Sequence, residues 1–204
     1  MAIVELVFPK LTTDPVLLKE AFEKIPSVAL QVFKKAGVIK ASRGMINLEN
    51  GKDVTADVKE LVVLEWKDAA DFHAFVKSKE FADYMVLMKP YATGPPELNL
   101  FEANASTPIF AGRDFLEVLL IRPNKEEDVE AILATVKSSL EKAGETDTIY
   151  GTTTNLPKKV ATVIRAFSSA EERAAAKQSH EELTNELGKL ANLTLLYSEN
   201  PQFL

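Results

Sequence analysis

The spacing of apolar residues switches between a period of two and a period near 3.6, and the switches mark out the elements. Leu61 to Trp66 is a short β-branched run, with Leu61 and Val63 on one side and Val62, Leu64 and Trp66 on the other. The strand it predicts needs cover on both faces. Phe72, Phe75, Val76, Phe81, Tyr84, Met85 and Met88 then keep near-helical spacing, with Asp68 or Asp71 available as a cap and Pro90 as a stop. Gly94-Pro95-Pro96 turns the chain into a second short strand, Leu98 to Phe101. Upstream, Ile3 to Phe8 reads as a strand ended by Pro9, and Thr13-Asp14-Pro15 caps a helix carrying Leu17, Leu18, Ala21, Phe22 and Ile25 on one stripe. Pro26 predicts a break or kink near Ile25 before Val28 to Lys35 resumes, and Gly37 closes the helix. Lys40 to Leu48 is a further strand, with a bulge natural at Gly44.

The same grammar returns later in the chain. VATVIRAF takes the place of ELVVLEW, SSAEERAAAKQSHEELTNEL that of KDAADFHAFVKSKEFADYMV, and NLTLLYSE that of LNLFE. With Trp66 set against Phe167, Ser78 and Glu80 fall on Ser179 and Glu181 without a gap; Ala36-Gly37 and Gly44 match Ala143-Gly144 and Gly151, and Glu5 stands against Glu117. An internal period of this kind points to a duplication. It divides the chain into a first module, 1–103, a linker, 104–113, and a second module, 114–204. Each module reads β-α-β-β-α-β, the ferredoxin-like plan, in an α+β chain. Two helices cover only one face of such a sheet, so the expected architecture packs the two modules sheet to sheet as an α+β barrel within one chain.

Composition narrows the partners. The net charge of -6, with no Lys/Arg cluster, argues against nucleic acid. Cysteine is absent, which removes disulfides, thiolate nucleophiles and cysteine-based metal sites. No run approaches a membrane span, and MAIVELVF lacks the basic start of a signal peptide, so a cytoplasmic protein is expected.

The strand ending in Trp66, the aromatic-rich helix DFHAFVKSKEFADYM with its Ser-x-x-aromatic step, and the closing strand after Pro95-Pro96 resemble the dimeric α+β barrel superfamily. The nearest branches are the antibiotic-biosynthesis-monooxygenase-like and stress-responsive barrels. The resemblance covers essentially the whole chain, as a tandem pair, and rests on order and pattern. It implies a hydrophobic pocket between sheet and helices of each module, used in relatives for cofactor-free oxygenation, for cyclisation or isomerisation, for haem chemistry, or for no known reaction.

Within that frame His73, Tyr84 and Arg43 are the candidate catalytic residues, and Trp66, Phe72, Tyr91 and Tyr150 the candidate substrate-binding ones. His73 suits acid/base work at neutral pH, but it lies one position beyond the stripe of Phe72 and Phe75, so a solvent-side or packing role stands beside it. In polyketide-cyclising relatives a pocket histidine falls nearer Phe81, so no role transfers directly. His180, among Gln178, Ser179 and Glu181, reads as a surface residue. Arg43 and Tyr150 each precede one of the paired glycines; they are either an oxyanion holder and a hydrogen-bond donor, or a sheet-edge charge and a packed aromatic. Glu5, Glu65, Glu117 and Arg165 are charges inside strands, and Glu117 and Arg165 are placed to pair across neighbouring strands. No phosphate loop, nucleophile elbow or metal-ligand spacing occurs, so no cofactor and no metal are expected; haem would need His73, His180 or a tyrosine as its axial ligand.

The preferred reading is a cofactor-independent small-molecule enzyme of secondary metabolism, a cyclase, isomerase or monooxygenase acting on an aromatic or polyketide-like hydrophobic substrate. The alternative is a non-catalytic stress-related or hydrophobic-ligand-binding barrel. The second module favours the alternative, since its helix EERAAAKQSHEELTNEL lacks the aromatics of the first. A single pocket is therefore expected in the first module, in a chain that forms a monomeric barrel or a homodimer.

Overall fold

The Leu61–Trp66 run finds cover on both faces because its strand lies between a layer of helices and the opposite wall of a barrel. The computed structural model describes residues 2–107, 113–145 and 147–203, the side chains of 200–203 excepted. The first module contains β1 (Ala2–Leu11), α1 (Pro15–Ala36), β2 (Val38–Glu49), the two-residue β3 (Lys52–Asp53), β4 (Glu60–Trp66), α2 (Ala69–Phe75), α3 (Lys79–Met88) and β5 (Ala92–Ala103). The second contains β6 (Phe115–Pro123), α4 (Val129–Ala143), β7 (Thr148–Thr153), β8 (Ala161–Phe167), α5 (Ala170–Ala175), α6 (Lys177–Leu187) and β9 (Ala191–Phe203).

The strands follow the order β2-β4-β1-β5-β7-β8-β6-β9, and β9 pairs back to β2, so eight strands close into a barrel with β3 appended to β2. The duplication extends to the register of the hydrogen bonds. Glu5 faces Leu64 and Arg43 faces Val62 in the first module; Glu117 faces Arg165 and Tyr150 faces Val163 in the second. Alternate strand residues of both modules, among them Val4, Leu6, Phe101, Val118, Leu120 and Ile164, fill one shared interior. The intervening residues face outward onto the helices.

Local signals decide the ends of the elements. Asp14 caps α1 by accepting from the N–H groups of Val16 and Leu17, and Gly37, at φ 104°, takes the left-handed position that stops it. Four expectations change. α1 runs on through Pro26 as one element, because losing the single N–H that would reach Phe22 does not outweigh an apolar face buried along Ala21, Ile25 and Ala29. The helix expected from Phe72 to Met88 is two, because the Ser78 hydroxyl accepts from Phe81 N–H and restarts the chain as α3. β1 passes through Pro9 and β5 starts at Ala92, the prolines being absorbed by register shifts on either side of Lys10. The bulge expected at Gly44 is present, as a register shift between Arg43 and Met45 where β2 meets β9, and the tail pairs there too, with Phe203 opposite Ser42.

Two seams join the modules. At β5–β7, Ala103 faces Gly151, and a Cβ on Gly151 would stand 2.0 Å from the Glu102 carbonyl oxygen, so only glycine lets the two backbones meet there. At β2–β9, Asn50 and Asn47 accept from the N–H groups of Leu195 and Glu199, at 2.8 and 2.9 Å. The start of the linker is tied down as well. The Glu65 carboxylate accepts from the hydroxyls of Ser106 and Thr107 and from Thr107 N–H, with Lys40 Nζ at 3.5 Å. Burial would raise this carboxyl, but those bonds and the lysine together hold it below its ordinary value. Residues 108–112 of the linker lie outside the described residues.

Glu5 differs. It is buried among apolar side chains, its Oε2 accepts from Trp66 Nε1 at 2.8 Å, and burial pushes its carboxyl up to about 7 against the opposing effect of that hydrogen bond. The folded state thus holds a proton that the unfolded chain releases near pH 4.5, so Glu5 favours folding below that pH and the benefit disappears as pH rises through about 7. Urea unfolding between pH 5 and 8 is expected to show this loss, about 3 kcal/mol in full, and Glu5→Gln to flatten the slope. A wild-type slope that survives in the variant would assign it to other groups. Gly151→Ala is expected to lower stability by about 1–3 kcal/mol, an overpacking cost, and an unchanged midpoint would mean the seam can widen.

Candidate functional site

Two residues that the sequence singles out, Arg43 on β2 and Tyr84 on α3, come together in a cavity of about 90 Å³ between the outer face of the first module's sheet and helices α1 and α3. Ile25, Ala29, Phe33, Val62, Met85 and Met88 are among the apolar residues of its wall, and Lys10 also lines it. A third polar group joins them: Glu60 lies at the start of β4, on the same face as Arg43 and diagonally across the strand pair. Arg43 Nη2 is 2.9 Å from Glu60 Oε1, and the guanidinium carbon lies 5.0 Å from the centre of the Phe22 ring. Burial raises the Glu60 carboxyl above its ordinary value, with Arg43 opposing. Burial also pushes the Tyr84 hydroxyl up to about 12, the Glu60 charge adding to the effect, which keeps it a neutral hydrogen-bond donor. The group offers a carboxylate with elevated basicity, a planar cation and a neutral donor in mostly apolar surroundings, a set that can move a proton and hold a developing oxyanion.

The other expected residues stand elsewhere. His73 is exposed on α2, its ring 5.2 Å from that of Phe72, and does not line the Arg43–Tyr84 cavity. Trp66 and Phe72 belong to a packed aromatic cluster with Phe75, at ring distances of 5.6 and 5.7 Å from Trp66. Tyr91 is buried among Leu11, Ala21 and Met88. Tyr150 is half-buried against the second module's helical core, and its N–H donates to Asn104.

The second module departs from the sequence reading most. Beside a packed apolar core, β6, β8, α5 and α6 line an open cleft of about 400 Å³ with charged residues on its walls, larger than the first-module cavity. His180 is buried at its floor, 8% exposed, rather than on the surface. Glu117 and Arg165 pair as expected, Oε1 to Nη1 at 3.6 Å, and Arg165 Nε donates to Glu145 at 2.8 Å. His180 Nδ1 lies 2.8 Å from Glu117 Oε1 but out of line for a hydrogen bond, and Nε2 is 3.8 Å from Glu145. Glu117 Oε1 and His180 Nε2 are consequently both buried without a hydrogen-bond partner. The Arg173 guanidinium carbon lies over the Tyr197 ring, 3.8 Å from its centre, and its Nε is 3.8 Å from Glu117 Oε2. Glu145 would be raised by burial, but Arg165, Ser179 and His180 hold it below its ordinary value.

The repeat alignment makes the contrast specific. Val38, Leu64, Phe72 and Leu100 of the packed first-module cluster correspond to Glu145, Arg165, Arg173 and Tyr197. That offset was available in the sequence, as was the spacing of His180, Leu183 and Leu187 along the buried stripe of α6. Of the two histidines named as axial-ligand candidates, His73 is on the surface and His180 is buried with Nδ1 against Glu117. Among the described residues no group of three His, Asp or Glu side chains converges to hold a metal ion, and no helix is long and apolar enough to cross a membrane.

No protein-family model matches the chain, and no curated protein matches it by sequence. Solved structures do match over nearly its full length. A provisionally named monooxygenase from Fusobacterium nucleatum has a TM-score of 0.64 at 10% identity, covering 99% of this chain and 93% of its own. An anthrone oxidase-like protein has a TM-score of 0.62 at 10% identity with the same coverage, and a chlorite dismutase from Candidatus Nitrospira defluvii one of 0.57 at 13%, covering 96% of this chain and 90% of its own. At such identities the likeness is one of fold. The chain has the α+β barrel fold that these proteins share, with both ferredoxin-like modules on one polypeptide.

Proposed function

We propose that the first-module cavity is the reaction site of a small-molecule enzyme that takes a proton from a compact apolar substrate. The observation that carries this is the Arg43–Glu60 pair, joined by Tyr84, set in a cavity whose remaining wall is hydrophobic apart from Lys10. Glu60 would act as general base on a C–H beside a carbonyl or on a phenolic O–H. Arg43 would hold the oxyanion that forms, and Tyr84 would donate a further hydrogen bond to it. Return of the proton to another carbon gives an isomer, and attack of the carbanion on a second carbonyl of the same molecule closes a ring. Both outcomes fit a cofactor-independent enzyme. Oxygenation is the third member of the set, supported by fold neighbours named as a monooxygenase and as anthrone oxidase-like.

A volume of about 90 Å³ suits a single six-membered ring better than a fused polyketide. The substrate is thus an enolisable ketone or phenol of that size, or one ring of a larger molecule whose remainder stays outside. A non-catalytic hydrophobic-ligand barrel would need the cavity but not the base.

Deuterium incorporation from D2O into the methyl group of acetophenone, followed by NMR, separates the two readings. The wild type is expected to accelerate exchange, Glu60→Gln to lose about 10²-fold or more of the acceleration, and Arg43→Met to lose a comparable factor. The rate should climb with pH along a limb lying above the ordinary carboxylate range, because the carboxylate is the active form and burial raises its pKa. Binding of acetophenone without exchange would leave the ligand-binding reading, and absence of binding would remove the site.

A further inference from the structure

The second module holds a site that the first-module reaction does not use. We propose that the cleft between β6, β8 and β9 and helices α5 and α6 binds a small carboxylic acid that also carries a hydroxyl or amino group. No described residue lines both this cleft and the Arg43–Tyr84 cavity, so the two stand or fall separately.

At the same place in the first module, Leu64, Phe72, Phe75 and Leu100 pack with Trp66 into one apolar cluster. A duplicated module that needed only to be stable had that solution to hand. The second module instead puts Arg165, Arg173 and Tyr197 at the positions of Leu64, Phe72 and Leu100, with Ala176 where Phe75 would stand, and opens about 400 Å³. Buried charge in place of packed carbon is unfavourable unless something pairs with it, and a cleft of this size lies within the range of small-molecule sites.

The polar groups then define the occupant. At the floor, Glu117 and Arg165 are 4% and 3% exposed, yet Glu117 Oε1 accepts no hydrogen bond. The neighbouring nitrogens of His180, Arg165 and Arg173, at 2.8, 3.6 and 3.8 Å from its two oxygens, are misaligned or too distant. A hydroxyl or ammonium of the ligand, donating to Oε2, the oxygen not sealed from the cleft, would supply a donor that this carboxylate lacks. Towards the rim, Arg173 stands over the Tyr197 ring, which holds its guanidinium in place, and Lys177 stands one turn further along the helical stretch. That pairing of a planar cation with a mobile one suits a carboxylate. Glu181, 3.6 Å from Lys177, sets a limit on how much negative charge the rim accepts, which favours a monocarboxylate end over a phosphate. An acid group at the rim and a donor at the floor thus describe one molecule.

Isothermal titration of the full chain with L-tartrate, L-glutamate, acetate and inorganic phosphate tests this. Saturable one-to-one binding of tartrate or glutamate is expected, at least tenfold tighter than acetate or phosphate. Arg173→Ala should weaken it at least tenfold, and Ala174→Phe should abolish it by filling the cleft without removing a charge. Ala174 is exposed, Arg173 is partly so, and neither belongs to a packed core, so folding should survive; Arg43→Met should leave the binding unchanged. In the wild type, the His180 ring resonances should shift on saturation. Failure of both tartrate and glutamate to bind, or binding that Arg173→Ala and Ala174→Phe leave intact, would overturn the site. Acetate or phosphate binding as tightly would overturn the role given to Glu117.

Discussion

Everything in this chain depends on a sheet that has no dry side of its own. Each module supplies two helical layers' worth of cover for one face only, and strands such as β4 are apolar on both faces. Burying the second face requires another sheet, and closing the two into a barrel also pairs every edge strand, which removes the templates for association that an open four-stranded sheet would expose. The seams are where this closure is enforced: the backbone contact at Gly151 on one side, and the asparagine side chains of the β2–β3 region on the other. The shared interior of Val4, Phe101, Val118 and Ile164 makes each module's stability a property of both.

Once the interior is shared, the outer faces are free to differ, and they do. In the first module the space under the helices is filled by aromatic contacts around Trp66, and the cavity that remains is small, apolar and marked by one ion pair. In the second the corresponding space carries a network of two carboxylates, two guanidiniums and an imidazole. Helix α4 and the stripe of Leu183 and Leu187 on α6 bear the packing that this network forgoes. The two outer faces are thus specialised in opposite senses on one frame.

The sequence was most readable where a rule of period or spacing applied. The alternating strands, the caps at Asp14 and Gly37, the duplication and the Glu117–Arg165 pair all followed from spacing, and the strand register preserves the alignment of Arg43 with Tyr150. The site was less readable because it depends on which residues face one another across strands. Glu60 looks like an ordinary strand-end charge until β2 is laid beside β4 in register, when it falls diagonally opposite Arg43. His180 looks solvated because its sequence neighbours are polar, whereas its helical neighbours Leu183 and Leu187 are buried. The prolines read in the opposite direction: Pro26 and Pro95-Pro96 have the sequence character of breakers, but tertiary burial and register shifts accommodate them.

The covalent link between the modules, anchored where Ser106 and Thr107 grip Glu65, has an evolutionary consequence. A barrel assembled from two copies of one chain must accept every substitution twice, so a buried arginine that serves one half burdens the other. Joining the halves end to end breaks that symmetry. Phe72 can remain phenylalanine while its counterpart becomes Arg173, and a single gene can keep a hydrocarbon-lined chamber and an ionic one back to back.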